Sequence, residues 1–381
     1  MTRAAPGPQA PTTEEATAGT RTVSPPSDLN VVTEEPLCAE TSLADLNSWI
    51  TPTDRFFIRS HFAIPEVDVD TWRLVVDGEV DRPLSLSFDD LRRETVRTVV
   101  TTMECAGNSR SSVYPPAQGL RWRHGALGTA QWTGVSLWDV LQKADVRPGA
   151  IEAVFEGADR GHEPGVPEEL VYAMSVPVVK AEHPDTLLAF AMNGAPLTAA
   201  HGFPVRVIVP GWYGMASVKW VTKVSLIDHS FRGYYRTKPY TFIHEGDDPN
   251  VLRKPVTSLQ VKSVITSPSE GASVPTGPLI VRGAAWSGEA AVLSVEVAVG
   301  LPAEDGGTAE WRLATILGPT APHAWVRWEI PLEFDRPGYY VLRTRATDER
   351  GDTQPMRADW NFRGVANNSI HAVPLIVRRE P

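Results

Sequence analysis

The stretch TTMECAGNSR, residues 101–110, places a lone cysteine between a strand-like run and a glycine turn. Cys105 is one of two cysteines in 381 residues, the other being Cys38, so the chain has no disulfide framework. A buried apolar residue, a nucleophile and a metal ligand are all open explanations for Cys105. Gly107 permits a backbone that other residues resist, and Arg110 supplies a nearby cation that would stabilise a thiolate. This neighbourhood favours a functional cysteine.

The residue types available restrict the chemistry of this cysteine. A zinc site needs about three or four protein ligands, and the sequence contains neither a CxxC pair nor an HExxH motif. A Cys–His nucleophile needs a base, and the sequence places none of its nine histidines beside Cys105. The remaining option is a soft metal that takes one ligand from the protein and its other sulfurs from a cofactor.

The composition is that of a globular protein, with 42% hydrophobic and 22% charged residues. A net charge of −10 argues against a general nucleic-acid-binding protein, and no window of about 18 apolar residues predicts a membrane span. The first residues, MTRAAPGPQAPTTEEATAGTRTVSPP, lack the apolar core and twin arginine of a secretory signal, so we expect a cytoplasmic protein. Their polar composition predicts a disordered tail over residues 1–36.

The sequence pattern changes near residue 250, and the length itself favours two domains. Over residues 37–250, the strand-like runs WRLVVDGEV, VRTVVTTME, IEAVFEG and FPVRVIVPG are interspersed with helical SFDDLRRE and SLWDVLQKADV, which predicts an α+β, mixed α/β domain. HEGDDPNVLRKP has the composition of a polar linker. Over residues 256–381, LIVRGAAW, LSVEVAVG, WVRWEIPL and YYVLRTRATD predict an immunoglobulin-like antiparallel β-sandwich.

Five motifs resemble, in the same order, those of the sulfite oxidase family of molybdenum enzymes. ECAGNSR resembles the family's cysteine motif, and FFIRSH resembles its N-terminal Arg-x-His segment. GLRWRHGALGTAQWTGVSLWDVL resembles the stretch after the cysteine, and AHGFPVRVIVPGWYGMASVKWVTKV resembles the segment that cradles the cofactor. WNFRGVANNSIH resembles the end of the dimerisation domain. The resemblance covers about residues 45–381 and implies a molybdopterin-binding catalytic domain followed by a dimerisation domain.

The resemblance implies a molybdenum–molybdopterin cofactor with Cys105 as the protein ligand to the metal. A thiolate is a strong donor that suits a redox metal. The pterin carries a phosphate and many hydrogen-bonding edges, so its cradle should hold cations and polar groups. The implied cofactor-binding residues are Phe57, Arg59, His61, Cys105, Asp159, His201, Arg206, Ser217 and Lys219. Without the resemblance each is equally compatible with a structural role; Arg206 and Lys219 in particular could face solvent.

The same resemblance implies an anion pocket beside the metal. Its implied catalytic residues are Cys105, Tyr172, Arg59, Arg110 and Trp122. Arginines offer a planar fork that suits sulfite or sulfate oxygens, and the Tyr172 hydroxyl can hydrogen-bond the anion. Taken alone, Tyr172 and Trp122 are compatible with core aromatics. The implied activity is oxidation of sulfite to sulfate by oxygen-atom transfer.

Two positions depart from typical animal sulfite oxidases. Gln118 stands where those proteins have a lysine, and Ala372 stands where an arginine is expected. Each missing cation would weaken the binding of a dianion by about tenfold or more, unless Arg236 or Lys238 compensates. Sulfite is therefore the leading substrate. A reductase of nitrate or of an S-oxide is the alternative, and a cofactor-free binding protein is a further one.

The electron acceptor and the oligomeric state follow from the same resemblance. The sequence has no CxxCH motif and no recognisable cytochrome b5-like or flavin domain, so no haem domain is expected in the chain. Electrons would pass to an external acceptor, either a cytochrome or oxygen. The C-terminal region resembles the dimerisation domain of the family, so a homodimer is expected.

Overall fold

The computed structural model describes residues 26–244, 246–248, 253–301 and 310–379. The helices in these ranges are α1 Phe88–Arg92, α2 Leu137–Lys143, α3 Val178–Ala181 and α4 Tyr234–Thr237. The strands of the N-terminal region are β1 Asn30–Thr33, β2 Cys38–Glu40, β3 Ile58–Arg59, β4 Arg73–Gly78, β5 Leu84–Ser87, β6 Val96–Glu104, β7 Leu127–Ser136, β8 Glu152–Gly161, β9 Leu170–Pro177, β10 Leu187–Met192, β11 Ala195–Pro196, β12 Arg206–Ile208 and β13 Val221–Ile227.

The strands of the C-terminal region are β14 Lys262–Ser267, β15 Ala272–Pro275, β16 Gly277–Trp286, β17 Val292–Gly300, β18 Trp311–Leu313, β19 Thr315–Leu317, β20 Val326–Phe334, β21 Gly338–Asp348 and β22 His371–Arg378. None of the helices in the described ranges combines the length and the apolar character needed to cross a bilayer. The predicted mixed α/β fold followed by a β-rich region is confirmed.

Three sheets form the N-terminal region. The first has the order β1-β2-β3, the second β11-β10-β7-β6 with β12 also on β10, and the third β5-β4-β13-β8-β9. In the second sheet, β6 pairs antiparallel with β7 from Val96 opposite Val135 to Glu104 opposite Leu127. Because the pairing runs to the last residue of β6, the sheet fixes the position of Cys105, the next residue in the chain.

The two helices predicted from the sequence are present. Ser87 caps α1 through a capping box with Asp90, an arrangement that contributes about 1 kcal/mol. The α2 helix buries Leu137, Val140 and Leu141 on one face. Each such buried side chain contributes roughly 1.5–3 kcal/mol, which is why a short helix holds its position against the sheet.

The C-terminal region is the predicted β-sandwich. One sheet has the order β14-β16-β20-β19 and the other β15-β22-β21-β17-β18. Val281 and Trp328 from the first sheet pack with Val297, Leu342 and Leu375 from the second, and all five are buried. The pairing is antiparallel except between β15 and β22, which run parallel. The predicted linker HEGDDPNVLRKP falls partly on residue 245 and residues 249–252, which lie outside the described residues.

The two regions share a packed junction. The indole nitrogens of Trp49 and Trp325 each donate to the other residue's carbonyl, at 3.3 and 2.9 Å. The backbone N–H of Thr102 donates to the carbonyl of His323 at 2.8 Å, and Thr102 Oγ1 accepts from the N–H of Trp325 at 2.7 Å. Thr102 belongs to β6, so the sandwich packs directly on the strand that leads to Cys105.

The last part of the tail predicted over residues 1–36 is ordered, from residue 26 to residue 36. Asn30–Thr33 form β1, which pairs antiparallel with β2. Leu29 and Leu37 are buried in a cluster with Ile58 and Trp220. The prediction is wrong for residues 26–36, because these two leucines meet apolar partners that are distant in sequence. Residues 1–25 lie outside the described residues.

Candidate active site

A cleft opens beside the turn that follows β6. All nine residues predicted to bind the cofactor lie on its wall: Phe57, Arg59, His61, Cys105, Asp159, His201, Arg206, Ser217 and Lys219. They come from segments spread between β3 and β13.

Cys105 lies on the cleft wall in a tight turn. Its Sγ accepts the backbone N–H of Gly107 at 3.4 Å, and its carbonyl accepts the N–H of Asn108 at 2.9 Å. Burial raises the pKa of the Cys105 thiol, while the nearby Arg59 guanidinium and the Gly107 N–H act in the opposite direction. The thiol is thus protonated at neutral pH without a ligand, and a thiophilic metal would displace the proton.

Three cations converge on one side of the cleft. Arg206, which the sequence left free to face solvent, is only 4% exposed. Its Nη1 and Nη2 donate to the carbonyls of His201 and Ser217, each at 3.0 Å, but its Nε is buried with no partner in the described chain. Lys219 donates to Ser60 Oγ at 3.0 Å. With Arg59, these groups form a buried positive region that suits an anionic ligand.

Burial changes the protonation of this cation cluster. It lowers the pKa of Arg206 to about 9. Burial, followed by the charge of Arg206, lowers the pKa of Lys219 to about 7. Burial also raises the pKa of Asp159 to about 7, against the attraction of Lys219. A ligand that carries negative charge would stabilise the protonated forms of Arg206 and Lys219 and so raise both pKa values again.

Asp159 is the one carboxylate among the described residues of the wall. Its Oδ1 is buried with no hydrogen-bond partner in the described chain. A buried polar atom without a partner costs about 1–3 kcal/mol. Asp159 Oδ1 and Arg206 Nε therefore offer an acceptor and a donor to a ligand that has hydrogen-bonding edges.

Both histidines of the wall are neutral. Burial, with help from Arg206, lowers the pKa of His201 to about 3, and burial lowers that of His61 well below its usual value. His201 Nε2 lies 3.2 Å from the carbonyl of Thr53, so this nitrogen carries the proton. His61 Nε2 is 2.6 Å from the hydroxyl of Tyr240. Neutral rings contribute hydrogen bonds without adding charge.

Aromatic side chains close one end of the cleft. Tyr172 stacks on His61 with 4.4 Å between ring centroids, and its hydroxyl donates to the carbonyl of Met215 at 2.9 Å. Tyr240 also lies on the wall, although it was not predicted as a site residue. The Tyr172 oxygen keeps its lone pairs free to accept a hydrogen bond from a ligand.

Two predicted catalytic residues are not on the described wall. Trp122 is fully buried in a core cluster that also contains Phe57 and Cys105. Arg110 Nε and Nη1 donate to the carbonyls of Arg363 and Leu120, at 2.7 and 2.9 Å. Arg110 therefore lies behind the cysteine turn; burial lowers its pKa, and a Cys105 thiolate would act in the opposite direction.

Gly107 is needed for a different reason from the one predicted. The left-handed backbone of this turn belongs to Ser109, with φ of 67°, and not to Gly107. A Cβ at Gly107 would lie 2.6 Å from Nη1 of Arg110. The glycine therefore makes room for the guanidinium, a steric requirement that the sequence alone does not reveal.

Arg363 is a further cation that the sequence analysis missed. Its carbonyl accepts from Arg110, and its own Nε is buried with no partner in the described chain. The charge of Arg363 lowers the pKa of Arg110, although burial is the main cause. In the sequence, the only indication of a role for Arg363 was its position in the motif WNFRGVANNSIH. Two neighbouring guanidinium groups repel each other unless an anion lies between or beside them.

Comparison with known proteins decides the family. Residues 61–235 match the oxidoreductase molybdopterin binding domain, and residues 253–378 match the Mo-co oxidoreductase dimerisation domain. The chain is 36% identical to the sulfite oxidase of Gallus gallus over 388 residues, which covers 96% of this chain and 81% of that protein. The chain belongs to the sulfite oxidase family.

The chain is also similar to two further relatives and to one solved structure. Mitochondrial sulfite oxidase of Rattus norvegicus is 36% identical over 353 residues, and the match covers 87% of this chain but 62% of that protein's length. Nitrate reductase [NADH] 2 of Phaseolus vulgaris is 30% identical, with 43% of its length covered. The crystal structure of the sulfane dehydrogenase SoxCD from Paracoccus pantotrophus has a TM-score of 0.77 and 29% identity, and covers 98% of this chain and 93% of that one.

The residues of the cleft fit the cofactor of this family. A soft thiol, buried cations, and an acceptor and a donor without partners all lie on one wall. These are the groups that a thiolate-bound metal and an anionic, hydrogen-bond-rich pterin require. If no ligand bound in the cleft, Asp159 Oδ1 and Arg206 Nε would stay buried without hydrogen-bond partners, which would lower the stability of the folded protein.

The two departures from the family pattern lie away from the described wall. Gln118 is exposed, and its backbone N–H donates to the carbonyl of Phe362 at 3.0 Å. Ala372 is exposed on β22, because strand alternation turns the neighbouring His371 inward instead. Lys238 is also exposed. The expected loss of anion affinity at positions 118 and 372 therefore finds no support in the geometry.

Proposed function

We propose that this protein is a molybdenum-cofactor enzyme that oxidises sulfite to sulfate and passes two electrons to an external acceptor. The observation that carries the proposal is the position of Cys105, whose thiol shares one cleft wall with Arg59, Arg206 and Lys219. The reaction takes sulfite and water to sulfate, two protons and two electrons. A cytochrome or oxygen would accept the electrons.

The chain's own residues would hold the cofactor through three kinds of contact. Cys105 would provide the thiolate ligand to molybdenum, since among the described residues of the wall it is the one that can become a thiolate. Arg59, Arg206 and Lys219 would bind the anionic groups, and Asp159 would accept from a ring N–H. Bound there, the cofactor would supply two-electron oxygen-atom transfer to sulfur.

The substrate would bind as a dianion near Arg59, with Arg110 and Arg363 as further positive charges. The carbonyls of Arg363 and Leu120 hold the Arg110 guanidinium in place, so its charge is oriented before sulfite arrives. A charge fixed in advance costs no reorganisation when the substrate binds. The Tyr240 hydroxyl, also on the cleft wall, would donate to the anion, whereas the Tyr172 hydroxyl already donates to the Met215 carbonyl and would only shape the pocket.

The decisive experiment measures metal and pterin in purified protein. Wild type should carry about one molybdenum and one pterin per chain, and Cys105→Ser should lose sulfite-dependent reduction of ferricyanide while staying folded. Cys38→Ser, which changes the other thiol, is the matched control and should keep both. Protein without molybdenum or pterin from a competent host would favour a binding protein. Viologen-driven reduction of nitrate or an S-oxide, without sulfite oxidation, would favour a reductase.

The chain is also proposed to form a symmetric homodimer through its sandwich domain, residues 256–381. Support comes from the match of residues 253–378 to the dimerisation domain of this family. Isologous pairing is the commonest oligomeric geometry, and a permanent interface holds at micromolar concentration. Sedimentation velocity at micromolar concentration should therefore give twice the mass of the chain.

A further inference from the structure

A second group of metal-binding side chains lies at the junction of the two domains. His183 and Asp185 follow α3 in the catalytic domain, and His323 precedes β20 in the sandwich. Their candidate ligand atoms all lie within 4.8 Å of one another. His323 Nε2 is 3.1 Å from Asp185 Oδ2. None of the three is on the described wall of the cofactor cleft.

The backbone holds these side chains in place. The N–H of Asp185 donates to His183 Nδ1 at 3.2 Å, and the N–H of Thr186 donates to the His183 carbonyl at 2.9 Å. The carbonyl of His323 accepts from the N–H of Thr102 at 2.8 Å, which ties its loop to β6. The rings of His183 and His323 meet edge to face with 5.6 Å between centroids. Two segments, each held by its own backbone hydrogen bonds, therefore bring the three candidate metal ligands together.

The geometry points to a site for a divalent transition-metal ion, with Zn²⁺ as the best match, formed by His183, Asp185 and His323. Two imidazole nitrogens and one carboxylate oxygen form a ligand set that zinc accepts, at about 2.0–2.2 Å from each atom. Around a tetrahedral ion, bonds of that length separate neighbouring ligand atoms by about 3.3 Å. The 3.1 Å between His323 Nε2 and Asp185 Oδ2 is already close to this value. The other pairs need to close by about 1.5 Å at most, which side-chain rotation can supply.

The local charges predict an exchangeable ion and not a buried structural one. Asp185 is the single carboxylate among the three ligands, and the ammonium group of Lys180 lies close enough to His323 to lower its pKa, although burial is the main cause. Glu289 interacts with Lys180 and offsets part of this repulsion. Three protein ligands leave the fourth position to water, as in zinc sites that keep an open position.

Occupancy of this site would couple the two domains. An ion that binds only the folded arrangement stabilises it by mass action, and here the ligands come from both sides of the junction. Thr101 also forms an isolated bridge with His323, and Thr101 lies four residues before Cys105. The ion would thus strengthen the contact that supports the strand leading to the cysteine turn.

The test uses the molybdenum-loaded protein, freed of divalent ions by EDTA and titrated with ZnCl₂ by calorimetry and metal analysis. We expect one zinc per chain in addition to molybdenum, and a Tm that rises with zinc concentration. His323→Ala and Asp185→Asn should each weaken zinc binding at least tenfold. His229→Ala is the matched control, because exposed His229 pairs with Asp228 at 2.8 Å and belongs to no group of three ligands among the described residues.

Two outcomes would overturn the site. One is wild-type protein that takes up no zinc and whose Tm ignores both zinc and EDTA, as expected if His323 and Asp185 form only an interdomain hydrogen bond. The other is zinc uptake that His323→Ala leaves unchanged. If His323→Ala fails to fold, Asp185→Asn and His183→Gln provide the same comparison. Sulfite oxidation, measured with and without zinc, is a separate readout, so failure here leaves the proposed activity standing.

Discussion

Glu104 and Lys262 form an ion pair across the junction of the two domains, with 2.8 Å between Lys262 Nζ and Glu104 Oε1. Both side chains are only 2% exposed. Trp286 Nε1 donates to the second carboxylate oxygen at 2.9 Å, and Asn108 Nδ2 donates to the first, also at 2.9 Å. The carboxylate directly before Cys105 is thus held by three donors, two of them from the sandwich domain. The sandwich therefore helps to position the cysteine turn.

Breaking this pair should destabilise the protein strongly. Lys262→Met leaves the Glu104 carboxylate buried without its cation, at a cost of about 3–5 kcal/mol in the free energy of unfolding. Adding Glu104→Gln removes the stranded charge, so the double variant should be more stable than Lys262→Met. Urea unfolding of all four proteins tests this coupling. If each single substitution lowered the free energy of unfolding by less than about 1 kcal/mol, and the double variant showed the sum of the two losses, the pair would not support the turn.

Gly107→Ala should impair activity with little loss of stability. The new methyl group would lie 2.6–2.8 Å from the Arg110 guanidinium, which would leave its carbonyl partners. Since small misplacements of a positioning group cost up to about a hundredfold, we expect kcat/KM for sulfite to fall by roughly ten- to a hundredfold. Gly149→Ala is the control, because nothing lies within 4 Å of its Cβ position. Equal kcat/KM in the two variants would contradict the steric role of Gly107.

Arg363→Gln should weaken sulfite binding. Its buried Nε has no partner in the described chain, so its charge is available to an anion. A hydrogen bond to a charged group contributes about 1.5–3 kcal/mol, which predicts a fall in kcat/KM of roughly ten- to 150-fold and a weaker dependence on salt. Arg97→Gln, an exposed change on β6, should leave the steady-state kinetics as they are. Wild-type kinetics in Arg363→Gln would exclude this arginine from the pocket.

The buried carboxyl of Asp159 should impose a pH dependence on the cofactor-free protein. Its pKa is raised to about 7 by burial, against about 3.9 in an unfolded chain, so the folded state binds more protons between these values. The stability contributed by the protonated form is present below pH 4 and is lost as pH rises to 7. Asp159→Asn should remove this loss, and urea unfolding at pH 5 and pH 8 measures it. The exposed variant Asp70→Asn should lose as much stability between pH 5 and pH 8 as wild type does. The same loss in Asp159→Asn would show that Asp159 is not the cause of the pH dependence.

Local features of the fold were predictable because their causes are local. The Ser87 cap and the apolar spacing of α2 lie within a few residues. VRTVVTTME is rich in the β-branched residues that favour strands, so β6 was predicted at its observed bounds. The sandwich was predictable for the same reason, from alternating runs separated by turns. The role of Cys105 as a metal ligand remains a prediction from the motif ECAGNSR.

By itself, then, the sequence determined four strands and two helices of the N-terminal region and the change to a strand-rich C-terminal region, and its resemblance to the family supplied a set of candidate residues whose chemistry suits one cofactor. Only the tertiary structure decided which of them share a wall. It buried Trp122 in the same core cluster as Cys105, turned Arg206 inward and brought the Arg363 carbonyl to Arg110 across 253 positions. Contacts between residues so far apart in sequence depend on how whole sheets pack. The periodicity or spacing within one segment does not predict which distant segment will pack against it.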